Sequence, residues 1–183
     1  MREVIRNIVR FLLFLFIEIY VLDSIPHLHR FISPSLYFIF LLWLPFSIRP
    51  RLLLWIAFFT GLIVDYFMQS PGLHASACLV LAFIRPFLIG VLTPRDSTEF
   101  NYREPSAQSL LWAPYVIYIT VLTFSYHTWL VFLEWLSFGS FGDFLIKTFA
   151  STAISLLLII TIELLFPLDN RWFKSFVATS MYA

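Results

Sequence analysis

The feature that most constrains this chain is a series of apolar stretches, each about as long as a membrane-spanning helix. Such a helix needs about 20 predominantly apolar residues. Only 13% of the 183 residues are charged, against about 25% in soluble domains, so lipid must be the solvent for most of the surface. The sequence predicts an all-α membrane protein, a single domain over residues 1–183 built as a bundle of six transmembrane helices. The predicted spans cover residues 5–22, 31–48, 52–68, 73–93, 109–136 and 144–166.

The fifth predicted span is longer than a bilayer requires. A helix over residues 109–136 would reach roughly 42 Å, against a hydrocarbon core of about 30 Å. Either this helix tilts, or it ends near His127 and an interfacial segment follows it; we favour the second arrangement. The glycine- and serine-containing stretch at residues 139–143 is predicted to break the chain before the sixth span.

Basic residues are distributed unevenly between the predicted loops, which indicates an orientation. With a cytoplasmic N-terminus and an even number of spans, the cytoplasmic segments hold nine Lys and Arg residues and the opposite loops hold only Arg30. We therefore expect both termini in the cytoplasm. The first helix should remain uncleaved, because no small-residue cleavage site follows it. The nine residues are Arg2, Arg6, Arg10, Arg49, Arg51, Arg95, Arg103, Arg171 and Lys174.

Composition and missing motifs exclude several classes of function. A net charge of +1 provides no electrostatic footprint for nucleic acid. The single cysteine, Cys78, excludes an internal disulfide, and the four histidines show no zinc-type spacing. No phosphate-binding loop, dinucleotide motif or nucleophile elbow is present. We expect neither a cofactor nor a metal, and no enzyme of familiar type.

Two ionisable residues flank the predicted turn between the third and fourth spans. Asp65 lies near the end of one span and His74 near the start of the next, so a tight turn at residues 69–72 would bring them together. The pair could form a polar contact site or a proton-linked pair, or it could be a hydrogen-bonded helix cap. Near the membrane interface a charged side chain costs little free energy, so these charges do not require a function, which favours the helix cap.

Two further charges lie within predicted spans. Arg85 precedes Pro86 in the fourth span, where it could make an ionic contact within the bundle or with a partner helix, or could extend to the headgroups. Glu18 lies deep in the first span and requires either a cation or a position facing protein. The small residues Ala75, Cys78 and Ala82 share one face of the fourth span, which predicts close helix packing there.

Four short motifs within residues 35–96 resemble the rod-shape-determining MreD family of membrane proteins. A span ends in Gly-x-x-x-Asp at residues 61–65, and a Pro-Gly turn at residues 71–72 is followed by His74 at the head of the next span. Arg-Pro-Phe at residues 85–87 and Pro-Arg-Asp at residues 94–96 complete the pattern. Outside these residues the resemblance to the MreD family rests only on chain length, hydropathy and number of spans.

This resemblance implies a place in the bacterial inner membrane, within the elongasome that builds the lateral cell wall of rod-shaped cells. Members of the family are non-catalytic and bind MreC. They act near RodA and its class B transpeptidase, and are linked indirectly to MreB. Their fold resembles the six-helix substrate-binding subunits of energy-coupling-factor transporters. Under this interpretation Asp65, His74, Arg85 and Glu18 are candidate partner-binding or structural residues.

Two other functions are compatible with six apolar spans. The first is a vitamin-binding subunit of an energy-coupling-factor transporter. Such subunits carry an Ala-x-x-x-Ala face on the first helix, whereas this chain has no alanine before Ala57. The second is a small intramembrane enzyme that uses Asp65 and His74, which would require both side chains within about 3 Å of a reacting proton.

Overall fold

Helices make up the regular structure of the described residues, in which no strand occurs. A computed structural model describes residues 2–18, 20, 35–93, 104–107, 109–136 and 140–165. The helices are α1 (Arg2–Ile17), α2 (Ile39–Leu42), α3 (Pro50–Met68), α4 (Leu73–Leu92), α5 (Trp112–Trp135) and α6 (Phe141–Leu165).

Four of these helices, α3 to α6, are long and apolar enough to cross a membrane. They correspond to the third to sixth predicted spans, so a multi-pass membrane protein is plausible. α1 has 16 residues and reaches about 24 Å, short of a hydrocarbon core of about 30 Å. It begins three residues before the predicted start at residue 5, and residues 19, 21 and 22 of that span lie outside the described part of the chain.

The prediction of a continuous helix over residues 31–48 is wrong for the described residues 35–48. Only the single turn of α2 is helical there, with turns and bends on either side. Pro45 contributes to this break, since it lacks a backbone donor and disfavours helical geometry at Leu44. Residues 35–44 are almost fully buried, apart from Phe40, which is half-buried. We call residues 35–44 the buried segment.

α5 and α6 also differ from prediction. α5 runs without a break past His127 to Trp135, so the predicted interfacial segment after His127 is wrong. α6 begins at Phe141, earlier than the predicted residue 144, because the Ser140 hydroxyl accepts a hydrogen bond from the Asp143 N–H at 3.1 Å and caps the helix.

Each long helix packs against its neighbour in sequence: α3 on α4, α4 on α5, and α5 on α6, while α1 packs on α2. α3 and α4 touch backbone to backbone. A Cβ added at Gly61 would lie 2.6 Å from the Ala75 nitrogen and 2.8 Å from the His74 carbonyl oxygen. Ala75, Cys78 and Ala82 are buried, as the predicted packing of small residues requires.

Because successive helices alternate in direction, the bundle has two ends. We call the end where α3 and α5 begin and α4 and α6 finish the arginine end, since Arg49 and Arg51 lie there, exposed. The opposite end carries the turn at residues 69–72, and we call it the turn end.

Candidate functional site

Asp65 caps the N-terminus of α4 from the last turn of α3. Its carboxylate, 4% exposed, accepts hydrogen bonds from the backbone N–H groups of Gly72, His74 and Ala75 at 3.0, 2.9 and 3.0 Å. These donors belong to the first turn of a helix, where no carbonyl within the helix can serve them. The carboxylate thus fixes the turn that joins the two helices.

The side chain of His74 joins the same cluster. His74 Nδ1 lies 3.0 Å from Asp65 Oδ1, and the Ser70 hydroxyl lies 3.2 Å from that oxygen and 2.9 Å from Nδ1. The contact between Asp65 and His74 that the sequence predicted is therefore present. Both carboxylate oxygens are occupied by donors from the turn, so the geometry favours a cap over a proton-transfer pair.

The turn itself needs a left-handed backbone at two positions. Gln69 has φ 52° and Gly72 has φ 84°. The Ser70 N–H donates to the Asp65 carbonyl oxygen at 3.1 Å, which is the six-residue hydrogen bond of a Schellman helix end. Asp65 thus terminates α3 through its carbonyl and starts α4 through its carboxylate.

Arg85 is 2% exposed and points into the bundle, so the extension towards the headgroups considered from the sequence is wrong. Its Nε donates to the Tyr118 hydroxyl at 3.0 Å, and its Nη2 donates to the carbonyl oxygens of Leu44 and, at 3.5 Å, Leu42. The Tyr118 hydroxyl donates in turn to the Leu42 carbonyl at 2.8 Å. These carbonyls lie at the end of the short α2 and just after it, where the chain leaves helical geometry.

Glu18 serves the other end of the buried segment. Its carboxylate, 3% exposed, accepts a hydrogen bond from the Leu36 N–H at 2.6 Å. Of the two environments that the sequence predicted for Glu18, a cation or a position facing protein, the position facing protein is confirmed. The neighbouring Ser35 N–H donates to the Ser155 hydroxyl at 3.2 Å, and that hydroxyl lies 2.9 Å from His127 Nε2.

The four predicted residues thus form two structural clusters rather than one site. Asp65 and His74 hold the turn between α3 and α4, while Glu18 and Arg85 hold the buried segment from its two ends. Non-helical backbone at membrane depth is tolerated only where its polar groups find partners inside the protein. These charges supply the partners.

Sequence reasoning missed the aromatic hydroxyls that line the interior. The hydroxyls of Tyr37 and Tyr126 form a short hydrogen bond, and the Cys78 thiol donates to Tyr37. Tyr115 donates to Glu163 at 3.2 Å and accepts from the Trp43 indole N–H. The signal was available, because Tyr115, Tyr118 and Tyr126 recur at helical spacing on one face of α5.

Two ion pairs lie towards the two ends of the bundle. Arg10 pairs with Glu104 at 2.8 Å, and Lys147 of α6 pairs with Glu134 of α5. Among the described residues, no group of His, Cys, Asp and Glu is arranged to hold a metal ion. The Pro-Arg-Asp motif at residues 94–96, Arg30, Arg103, Arg171 and Lys174 lie outside the described residues.

Comparison of the chain with protein-family models, with curated proteins and with solved structures gave no match in any of the three searches. The resemblance over residues 35–96 therefore stays a prediction.

Proposed function

We propose that this chain is a non-catalytic integral membrane scaffold of the bacterial elongasome, which binds MreC and supports lateral peptidoglycan synthesis. One observation supports a scaffold above all others. The intramembrane charges of the motifs that resemble MreD bind the chain's own turns and backbone: Asp65 and His74 at one turn, and Arg85 at the buried segment.

Charges that act on a substrate or carry an ion face a cavity or a water path. Here they fix an irregular backbone inside a bundle whose outer surface is aromatic and apolar. Trp55, Phe59, Tyr66, Phe83 and Phe87 are among its exposed side chains. A rigid interior with an apolar exterior suits a protein that presents helix faces to the helices of partners.

The proposal places the protein in the bacterial inner membrane with six crossings and both termini in the cytoplasm. The exposed Arg49 and Arg51 support a cytoplasmic arginine end, since basic residues accumulate on that side. RodA and its class B transpeptidase would be neighbours in the assembly, and MreB would be linked indirectly.

Co-purification tests the binding of MreC. The full chain, tagged and extracted in mild detergent from a rod-shaped host together with that host's MreC, should enrich MreC over an unrelated multi-pass protein of similar expression. RodA should be enriched more weakly. Equal recovery of MreC with both baits would overturn the proposal.

The substitution His74→Ala separates a scaffold from an intramembrane enzyme. It removes the imidazole but leaves the His74 N–H and three further protein donors on Asp65. A scaffold should therefore keep its abundance, and the cells should keep their rod shape. Round cells with normal amounts of folded His74→Ala protein that still co-purifies with MreC would indicate a catalytic role for the imidazole instead.

A further inference from the structure

An apolar groove opens on the outer surface between α3 and α4, towards the arginine end. Its volume is about 400 Å³, and it is lined by Pro50, Leu54, Ala82, Phe83, Pro86 and Phe87. The small Ala82 and the ring of Pro86 form part of its lining. Phe83 and Phe87, 61% and 65% exposed, lie beside each other with ring centroids 5.6 Å apart.

Two arginines flank Pro50, one of the residues that line this groove. Arg49 and Arg51 stand on either side of Pro50, and both are exposed. Arg51 lies three residues before Leu54, so the two side chains are neighbours on the surface of α3. The groove therefore combines an apolar lining with positive charge beside it, at the arginine end.

We propose that this groove binds an anionic phospholipid, with the phosphate at Arg49 and Arg51 and an acyl chain along Leu54, Phe83 and Phe87. The guanidinium group suits this role because it presents parallel donors to two phosphate oxygens. This inference goes beyond the proposed function and does not depend on it.

Charge favours an anionic phospholipid over a partner helix as the occupant. The exposed Arg49 and Arg51 complement a phosphate, and the apolar lining beside them complements an acyl chain. No residue of the lining is charged.

Native mass spectrometry of the full-length protein tests the proposal. The protein is extracted in mild detergent and offered an equimolar mixture of phosphatidylglycerol and phosphatidylcholine. Phosphatidylglycerol should be retained preferentially. The double substitution Arg49→Gln/Arg51→Gln should weaken that binding roughly 30-fold, since each charge near an anionic lipid contributes about a factor of five. The double substitution Arg49→Lys/Arg51→Lys keeps both charges and should weaken the binding of phosphatidylglycerol less.

Two further variants locate the site. Leu54→Trp should reduce retention by filling the groove while leaving both arginines in place. Arg171→Gln/Lys174→Gln removes the same number of charges from another part of the sequence and should retain phosphatidylglycerol as the unsubstituted protein does. Phosphatidylglycerol with a photoreactive acyl chain should label peptides that contain Phe83 or Phe87.

Three results would overturn the proposal. Equal retention of the two lipids would remove the role of the arginines. An equal loss for the 49/51 and 171/174 variants would show general attraction to anionic lipid. Retention of a protein helix at the groove, with phosphatidylglycerol binding unaffected by Leu54→Trp, would assign the groove to a protein partner.

Discussion

At the scale of single residues, the buried charges of this chain act as substitutes for missing backbone partners. The sequence predicted the contact between Asp65 and His74, because a short turn places them together. It could not predict the backbone partners of Arg85, since these are carbonyls more than 40 residues away and every residue type carries one. Glu18 likewise meets a backbone N–H.

Asp65→Ala should destabilise the protein by about 3 kcal/mol, because it leaves the N–H groups of Gly72, His74 and Ala75 without their acceptor. Asp65→Asn keeps one acceptor oxygen, so its loss of stability should be about half that of Asp65→Ala. Thermal unfolding of purified protein in detergent measures both. Unchanged stability of Asp65→Ala would contradict the capping role.

Arg85→Leu should cost about 3–5 kcal/mol, because it leaves the carbonyls at the end of α2 without their cation in a site closed to water. Tyr118→Phe removes one hydroxyl and should cost about 1 kcal/mol. The double variant should be less destabilised than the sum, since the two side chains share the Leu42 carbonyl. Strict additivity would indicate that they act independently.

At the scale of elements, hydropathy predicted the positions of the long helices α3 to α6 but not the form of the buried segment. Such apolar helices satisfy their own backbone hydrogen bonds, as a backbone in contact with lipid would have to. The buried segment is equally apolar, yet it is enclosed by protein. Donors and acceptors from Glu18, just after α1, and from α4, α5 and α6 replace the bonds of a helix. Apolar composition alone cannot distinguish these two cases.

Two glycines in helices should respond to alanine in opposite ways. Gly61→Ala should separate α3 from α4 and cost about 2–3 kcal/mol, since its Cβ would meet the backbone of Ala75. Gly142→Ala is the matched control, because no atom lies within 4 Å of its added Cβ. It should stabilise α6 by up to about 1 kcal/mol. Denaturant titration in mixed micelles compares the two, and equal effects would refute the close contact.

At the scale of the whole molecule, the buried segment contacts residues towards both ends of the bundle. Tyr37 lies near His74 at the turn end, with ring centroids 6.0 Å apart, while the Trp43 indole donates to Tyr115 near the start of α5. The seven residues from Tyr37 to Trp43 span part of the distance between the two ends. Six crossings with cytoplasmic termini are the proposed topology, and four of the described helices are long and apolar enough to cross.

Labelling of single cysteines tests this topology. In a Cys78→Ala background, cysteine is introduced at the exposed positions Pro71 and Asp143 of the turn end and Ser47 of the arginine end. A membrane-impermeant thiol reagent should label Pro71→Cys and Asp143→Cys in intact spheroplasts, and Ser47→Cys only after permeabilisation. This pattern is expected because α3 lies between Ser47 and Pro71, while α6 begins near Asp143 and finishes at the arginine end. Labelling of Ser47→Cys in intact spheroplasts would invert the orientation, and labelling of both ends would mean that the helices do not span the bilayer.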